Sequence, residues 1–453
     1  MTTPRKVVLA LALLDAASVL LVFNLVSFAR GLVAGGVIVS ALLVPYLILG
    51  FAIYLIDGYR SRTDMLSLDY TSQHIIALLS ALLVTLLLTF AIFPAGYELQ
   101  SSRIVIALGY IVLIPLTLSY RRLICQRAEQ VRESRSLVFI GDETSYGTFR
   151  AECARLKMVQ PVVYAAVESA GIGSMPAGAA PFRQVIDDAV AGRFPVEAIV
   201  LRETSRELEP EVSRKLVELY FTGLPTYTLE LFHQVYWRKI PLYRLNQTWL
   251  FQEGFPIARE PVFERLKRAA DILLALVGIG LAAPIVFLGA LAVWLEDGRP
   301  IFFKQHRIGR NQVPFVVRKL RTMRVGSEKG DLYTRAEDKR VTRVGRFLRT
   351  TRVDEFPQLW NVLRGDMSLI GPRAEWDRLV ENYQREIPCY HFRHLVKPGI
   401  TGWAQINYPY GASLDDTLRK LEYDLYYIRH FSFRLDAAII LKTIHVMLFG
   451  KGR

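Results

Sequence analysis

Residues suited to disulfides and transition metals are scarce in this chain. Its 453 residues include three cysteines, Cys125, Cys153 and Cys389, and their separations match no metal-ligand spacing. The pattern indicates no disulfide framework and favours reduced thiols buried in a core. His391 and His394 stand three residues apart, but no third ligand lies near them in the sequence, which argues against a metal site there.

Hydrophobic residues, by contrast, are abundant. They make up 52% of the chain and give a mean hydropathy of +0.25, which is typical of a membrane protein. Four N-terminal segments approach the ~20 apolar residues that a spanning helix needs: residues 7–29, 32–56, 75–93 and 104–118. The first is too long for the core of a signal peptide and lacks a convincing cleavage site, so we expect it to remain as an anchor.

Lysine and arginine predict the orientation of these spans. The N-terminus, the loop 57–73 and the exit after residue 118 are basic, whereas the two intervening turns carry little beyond Arg30 and Arg103. The positive-inside rule therefore predicts that the N-terminus and everything after Ser119 lie in the cytoplasm.

A further apolar segment, residues 272–295, has cations on both flanks. A full crossing would export one cationic flank, whereas a segment that enters and leaves on one face keeps both inside. Pro284, near its middle, removes a helix hydrogen bond and supplies a bend. The pattern predicts a re-entrant helix over about residues 271–296. The alternative is an ordinary fifth span.

Between the membrane segments lies a stretch that alternates strand and helix patterns. Buried strands are predicted at 136–140, 161–167 and 196–201, with helical patterns after the first and the third. This alternation predicts a small parallel α/β module, Rossmann-like, within residues 121–250. Its first turn, GDETSYG, lacks the GxGxxG spacing that brings backbone close to a pyrophosphate, so a structural or regulatory module is favoured over dinucleotide binding.

Positive charge is concentrated in one part of the chain. Sixteen lysines and arginines but only four acids lie from Arg299 to Arg352, and the formal net charge of the whole chain is +14. A solvated face, nucleic-acid binding, or binding of anionic lipid and phosphates could each explain this. No nucleic-acid module is recognisable, and a basic stretch beside a membrane segment favours lipid headgroups, at about 1 kcal/mol per cation near the surface.

The stretch VDEFPQLWNVLRGDMSLIGPR, which ends at Arg373, is the most informative. It is predicted to begin a helix near Asp354, because Pro357 is tolerated only in a first turn, and to end it at Gly365. Helical spacing puts Phe356, Leu359, Trp360 and Leu363 on one apolar face, and Asp354, Gln358 and Asn361 on another. Carboxylates in a first turn are favoured by the helix dipole alone, so the adjacent acids leave a catalytic and a structural interpretation open.

Cations around the acidic pair favour the catalytic interpretation. Arg349 and Arg352 precede it, and Arg373 follows in a Gly-Pro-Arg turn. A nucleotide sugar with two phosphates needs such cations, and a divalent metal needs carboxylate oxygens. The segment KPGITGWAQ, residues 397–405, is expected to be an ordered loop for a nucleotide or sugar, or a plain turn beside a buried Trp403.

These motifs, in this order, resemble those of the bacterial sugar transferase family, the monotopic polyprenyl-phosphate hexose-1-phosphate transferases. The resemblance covers residues 262–453 and rests on Lys267-Arg268 with Asp271, Pro284, KLRTMR (319–324), Asp354-Glu355 with FPQLWNVLRGDMSLIGPR, and KPGITGWAQIN. The preceding spans and the middle module resemble the long-form members. The tail is most similar to the exosortase-linked exopolysaccharide branch.

The resemblance implies a reaction and a site. A hexose 1-phosphate would pass from a UDP-sugar to undecaprenyl phosphate through a covalent phosphosugar on Asp354. Glu355 would help Asp354 to hold Mg²⁺, or would activate the polyprenyl phosphate, and Pro284 would bend the re-entrant helix. The candidate substrate-binding residues are Arg349, Arg352, Arg373, Gln358, Asp424, Lys319 and Arg321.

Three positions depart from the family pattern. Ala374 stands where the family usually has the second proline of Pro-Arg-Pro, and Ala283 replaces the serine before the bend. Many members carry Asn-Gly-Arg-Asn where this chain has NYPY, residues 407–410, so the identity of the sugar stays open. None of these departures touches Asp354 or Glu355.

We therefore expect an α/β membrane protein of the bacterial inner membrane in three parts: four transmembrane helices in 1–120, the Rossmann-like module in 121–250, and a mainly helical cytoplasmic catalytic domain in 262–453. Implied partners are a UDP-sugar, polyprenyl phosphate and membrane lipid, with a second copy of the chain and polysaccharide-assembly proteins as further candidates and nucleic acid not expected. The rival functions are a non-catalytic membrane scaffold and a membrane-tethered nucleic-acid binder.

Two features are predicted near the C-terminus. Ser413 and Asp416 have the spacing of a capping box, and Leu418, Leu421, Leu425 and Ile428 form one apolar face of the helix that follows. Residues 435–449 are apolar but too short to span a membrane. They are expected to lie in the interface as an amphipathic anchor, with packing in the soluble core as the alternative.

Overall fold

In a computed structural model of the chain, the structure describes residues 4–31, 37–60, 63–94, 96, 98–133, 135–156, 158–166, 180–191, 193, 195–202, 210–221, 223–242, 261–326, 338, 340–409, 411 and 413–449. The chain divides into two compact units. The first consists of Met1–Val22, Tyr59–Thr71 and Ile111–Arg238, and the second of Phe23–Gly58, Ser72–Tyr110 and Lys239–Arg453.

Apolar helices form the N-terminal part: α1 (Pro4–Ala29), α2 (Leu43–Leu55), α3 (Leu68–Leu87) and α4 (Arg103–Glu133). Three N-terminal stretches of the described chain are long and apolar enough to cross a membrane, at Val7–Ala29, Leu68–Ile92 and Arg103–Arg127. The second predicted span is shorter than expected, because its described helix covers only Ser40–Leu55 and residues 32–36 lie outside the described residues. At about 1.5 Å per residue, α2 is about 20 Å long, less than the ~30 Å thickness of a bilayer core.

The α/β module in the first unit contains a five-stranded parallel sheet in the order β3-β2-β1-β4-β5. The strands are β1 (Ser136–Ile140), β2 (Val162–Ala166), β3 (Ala180–Pro181), β4 (Val196–Leu201) and β5 (Thr226–Thr228). The helices are α5 (Glu143–Arg155), α6 (Phe182–Val190), α7 (Pro210–Phe221) and α8 (Leu229–Phe232). The three predicted strands are confirmed. The two edge strands were missed because two or three residues carry no readable periodicity.

At the crevice of this sheet, two of the protein's own charged side chains pair with each other. Between β1 and β4 the strand order reverses, which is where folds of this kind bind ligands. There the Asp142 carboxylate caps α5 by accepting a hydrogen bond from the Ser145 N–H at 2.8 Å, and it also pairs with Arg202. A carboxylate therefore takes the helix-end position that a phosphate of a dinucleotide would use.

The second unit carries the remaining elements. They begin with the long helix α9 (Pro261–Asp297), which runs through Pro284 without a break, and an antiparallel hairpin of β6 (Phe302–Ile308) and β7 (Pro314–Leu320). The rest are α10 (Arg343–Thr351), α11 (Leu359–Arg364), β8 (Ser368–Ile370), α12 (Asp377–Glu386), β9 (Gly399–Thr401), α13 (Trp403–Asn407), α14 (Leu414–His430) and α15 (Phe433–Phe449).

The segment just before α9 is part of the core of this second unit. Ile240 and Leu242 are buried in the cluster that also contains Trp403 and the apolar face of α14. The Lys239 ammonium forms a buried ion pair with Glu422 at 3.0 Å, and the Ile240 N–H donates to the Glu422 carbonyl. Lys239–Leu242, which the predicted boundaries place in the middle module, thus packs within the second unit. Residues 243–260 lie outside the described residues.

Of the two C-terminal predictions, the structure confirms the first, while the second stays a prediction. The capping box of Ser413 and Asp416 is confirmed, and Leu421, Leu425 and Ile428 are buried on one face of α14. One face of α15 packs in the core through Leu435 and Ile439, while its opposite face, with Ile440, Ile444 and Leu448, is exposed. The exposed face keeps the prediction of an interfacial helix open.

Candidate active site

Asp354 and Glu355 lie in a tight 3-10 turn rather than at the start of an α-helix. The turn covers Val353–Gln358 and is followed by α11, which ends as predicted at Gly365, with φ +93°. Three residues of the predicted apolar face, Phe356, Leu359 and Leu363, are partly buried and pack against buried clusters. Trp360, which the prediction placed on the same face, is 51% exposed, while Val353 and Val362 are buried. A 3-10 turn has three residues per turn, so its side chains are shifted from the positions that an α-helix would give them.

Glu355 is held by three cations. Its Oε1 accepts hydrogen bonds from the Lys319 ammonium at 2.8 Å and from the Arg373 guanidinium at 3.1 Å, and its Oε2 lies 3.7 Å from Arg352. Burial alone would raise the pKa of Glu355, but the three positive charges hold it well below its ordinary value. Glu355 is therefore a carboxylate whose charge the protein already neutralises.

Asp354, its neighbour, is equally buried but has different hydrogen-bond partners. Each carboxylate residue is 7% exposed, yet Oδ1 of Asp354 has no hydrogen-bond partner among the described residues. Burial raises the pKa of Asp354, against the nearby charge of Lys319. One turn away, Nε2 of the buried Gln358 also has no partner in the described part of the chain. Unpaired buried polar atoms are costly and rare, which points to a ligand that satisfies them.

These carboxylates fit a divalent cation in one respect. Mg²⁺ is usually held by one or two carboxylates together with substrate phosphates and water. Oδ1 of Asp354, which no described residue hydrogen-bonds, could take such a role, whereas Glu355 is engaged by Lys319 and Arg373. Among the described residues, no three or more His, Cys, Asp or Glu side chains come together in a group that could hold a metal ion by itself. His391 and His394 therefore have no third ligand of these types in the described part of the chain.

Two interlocked loops place Arg373. The Gly371 N–H donates to the Thr401 carbonyl and the Gly399 N–H to the Pro372 carbonyl, each at 2.9 Å, beside the parallel pair β8 and β9. A Cβ atom added at Gly371 would lie 2.3 Å from the Lys397 carbonyl oxygen. The glycines of the two motifs thus allow the loops to touch, and Trp403 is buried beneath them.

A hairpin places Lys319. It lies near the end of β7, whose main chain is tied to α11 by Asn361. The Asn361 side chain donates to the Val316 carbonyl at 2.8 Å and accepts from the Arg318 N–H at 3.3 Å. Sequence reasoning placed Asn361 on the polar face with Asp354 but assigned it no role. Its structural role is to join the hairpin to α11, the helix that directly follows the turn with the two acids.

The other predicted site residues have distinct positions. Arg349 donates to the Thr322 hydroxyl at 2.8 Å, and its charge lowers the pKa of Asp354. Arg321 donates to the carbonyl oxygens of Asp297 and Gly298 at 2.8 and 3.0 Å, so it caps the end of α9.

Asp424 forms a buried ion pair with Arg393 at 2.9 Å rather than a contact with the acidic pair. Burial raises the pKa of Asp424 to about 6, against the charge of Arg393. Arg393 itself was missed, because nothing in its local sequence distinguishes it from a surface arginine. Its contact with Asp424 arises because the fold packs α14 against the turn that contains Arg393.

Comparison with known proteins identifies the C-terminal part of the second unit. A family described as bacterial sugar transferase matches residues 262–450. A UDP-N-acetylgalactosamine-undecaprenyl-phosphate N-acetylgalactosaminephosphotransferase of Aeromonas hydrophila is 37% identical over 270 residues, covering 59% of this chain and 63% of that protein.

Two further relatives are UDP-glucose:undecaprenyl-phosphate glucose-1-phosphate transferases. The one from Escherichia coli is 46% identical over 185 residues, 40% of this chain and 39% of that protein. The one from Caulobacter vibrioides is 40% identical over 206 residues, 45% of this chain and 77% of that protein. The match thus spans less than two thirds of the first two relatives and more than two thirds of the third. The chain belongs to the bacterial sugar transferase family.

Proposed function

We propose that this protein transfers a sugar 1-phosphate from a UDP-sugar to undecaprenyl phosphate. The family and the named activities of the relatives support the reaction class. The observation that carries the proposal is the buried Oδ1 of Asp354, which has no hydrogen-bond partner in the described part of the chain, beside a Glu355 whose charge is already neutralised. One carboxylate is thereby left to react, among cations that suit a diphosphate.

In the first step, the Asp354 carboxylate attacks the phosphorus that bears the sugar. An aspartyl–phosphorus bond forms, the bond from that phosphorus to the bridging oxygen breaks, and UMP leaves with that oxygen. Lys319, Arg349 and Arg373, whose charges act on Asp354, would offset the negative charge of the two phosphates. The raised pKa of Asp354 makes it a better nucleophile than an ordinary surface carboxylate, provided that it is ionised.

In the second step, a phosphate oxygen of undecaprenyl phosphate attacks the same phosphorus. The aspartyl bond breaks, the carboxylate is regenerated, and undecaprenyl diphosphate sugar is released. Mg²⁺, held by Asp354 and the substrate phosphates with Glu355 nearby, would supply charge neutralisation. Two half-reactions at one carboxylate split a single difficult displacement into two easier ones.

Undecaprenyl phosphate lies in the membrane, so the site must lie at the membrane surface. We propose that α9 holds the site there by entering the bilayer as a re-entrant helix. Both halves of α9 contact the same fold: Asp271 accepts from the Leu369 N–H at 3.0 Å, and Glu296 accepts from the Arg343 N–H at 2.8 Å. A helix that crossed the bilayer would have to carry part of this fold through it. Between these anchors, large apolar side chains are exposed, including Leu273, Leu276, Leu281, Phe287 and Leu288.

The orientation follows from the same reasoning. Basic residues flank the spans on one side, so we place the second unit's catalytic elements in the cytoplasm, at the inner membrane of a bacterium. There a UDP-sugar is supplied from solution and the polyprenyl acceptor from the bilayer.

The reaction is tested by UMP release from a panel of UDP-sugars, with purified full-length protein, Mg²⁺ and undecaprenyl phosphate. We expect release with one donor, a loss of at least 1,000-fold in Asp354→Asn, as expected for a lost nucleophile, and loss on chelation of the metal. Asp415→Asn, which changes an exposed carboxylate in the first turn of α14, is the matched control and should keep activity. Folded protein that releases no UMP from any donor would instead favour a non-catalytic scaffold.

A further inference from the structure

A buried arginine lies directly behind Arg373. Arg393 belongs to the 3-10 turn Tyr390–Leu395 and its side chain is 5% exposed. Its Nη2 donates to the main-chain carbonyl of Arg373 and pairs with Oδ2 of Asp424, both at 2.9 Å, and its Nη1 donates to the Tyr390 hydroxyl at 2.7 Å. Burying a cation is costly unless its donors are engaged, and here three different acceptors engage them.

The held carbonyl belongs to the residue that contacts Glu355. On the side-chain end of Arg373, the guanidinium donates to Oε1 of Glu355 at 3.1 Å. On the main-chain end, Arg393 holds the carbonyl of Arg373, and the next carbonyl, of Ala374, accepts from Arg307. The main chain at this point is therefore fixed by two guanidinium groups from separate elements.

We propose that Arg393 is a positioning residue for Arg373, and that Asp424 acts through Arg393 rather than on the substrate. This inference rests on the proposed function, in which Arg373 binds the donor phosphates. Asp424 lies on α14 and Arg393 on the turn after α12, so the ion pair joins two elements behind the loop that presents Arg373. A shift of that loop would move the Arg373 guanidinium relative to Glu355 and Asp354.

The role requires an arginine rather than any cation. A guanidinium is a planar fork with five donors, which lets Arg393 reach a carbonyl, a carboxylate and a hydroxyl at once. A lysine at this position would keep the charge, but its side chain is shorter and its single ammonium could not contact all three acceptors. Arg393→Lys therefore separates geometry from charge.

The kinetic test is a double-mutant cycle on UMP release. Arg393→Lys should lower kcat/KM about 10- to 100-fold, as small displacements of a binding group do. In the Arg373→Lys background it should lower kcat/KM by less than about threefold further, because its effect passes through Arg373. Arg419→Lys, in which a partly exposed arginine of α14 is changed, is the control and should stay near wild type. Losses that multiply in the double variant would overturn the positioning role.

A structural measurement decides the same question without activity. In a cryo-EM structure of Arg393→Lys, the Arg373 guanidinium should lie beyond about 3.5 Å from Glu355, outside hydrogen-bond distance. If Arg373 keeps its contact with Glu355 in this variant, the inference is wrong. Should Arg393→Lys fail to fold, Tyr390→Phe removes one acceptor alone, and the same comparison applies to it. Absence of UMP release from the wild type would overturn the proposed function but not this structural result.

Discussion

Two adjacent carboxylates with equal burial have different physical states because of their partners. Glu355 is an ionised acid that organises Lys319 and Arg373, and its charge is offset before any substrate arrives. Asp354 has a raised pKa and an oxygen that no described residue hydrogen-bonds. The pair therefore divides the work: one acid holds the cations in place, and the other is left for chemistry.

Asp424 gives a prediction about pH and stability. Burial raises its pKa from 3.8 to about 6, so the folded protein binds its proton more tightly than the unfolded chain does. The stabilisation from this proton is fully present below the unfolded pKa and is lost as the pH rises through about 6, and it amounts to about 3 kcal/mol.

The measurement is the thermal unfolding midpoint in detergent of wild type and Asp424→Asn between about pH 4 and pH 7. The asparagine cannot titrate, so the wild-type midpoint should fall relative to that of the variant as the pH rises. A difference that stays constant over this range would show that Asp424 is not a buried titrating acid.

At the scale of elements, α9 is unusual because it is both apolar and anchored at both ends. Its N-terminal half is tied by Asp271 and by Arg268, which donates to the Leu363 carbonyl at 2.7 Å. Its C-terminal half is tied by Glu296, and a Cβ atom added at Gly289 would come within 3.1 Å of Leu320. These contacts fix the position of the catalytic elements along the helix.

The re-entrant arrangement predicts that both flanks of α9 are on the cytoplasmic side. Single cysteines at the exposed positions Arg265→Cys and Lys304→Cys, in a Cys125→Ser background, should both react with a membrane-impermeant maleimide only in inverted vesicles. Arg30→Cys, at an exposed position in the turn after α1 on the predicted outer side, is the matched control and should react only from the periplasm. A Lys304→Cys that reacts only from the periplasm would make α9 an ordinary span.

Helices and strands could be predicted from the sequence where hydrophobic periodicity or a capping or turn residue within the segment itself determines the structure. The strands β1, β2 and β4, the capping box of Ser413 and the end of α11 at Gly365 all follow from nearby residues. The turn around Asp354 did not, because a left-handed Arg352, with φ 60°, and Pro357 tighten it into a 3-10 form. Helical spacing therefore misassigned Trp360.

At the scale of the whole molecule, sequence reasoning brought together most of the cations near the acidic pair but not the residues that hold them in place. Arg349, Arg352, Arg373 and Glu355 could be associated because motifs keep them near Asp354 in the chain. Lys319 was associated through the family resemblance. The contacts of Arg393 with Arg373 and Asp424, and of Lys239 with Glu422, join residues that are distant in sequence. Only packing reveals such pairs, since each partner alone resembles an ordinary surface charge.

The most direct measurement is intact-protein mass spectrometry after incubation with the UDP-sugar and Mg²⁺ but without undecaprenyl phosphate. The account predicts that the protein gains the mass of one sugar phosphate, that peptide mapping places it on Asp354, and that adding the acceptor removes it. Asp354→Asn should gain nothing. UMP release that requires both substrates together, with no modified protein at any time, would contradict the two-step transfer through Asp354.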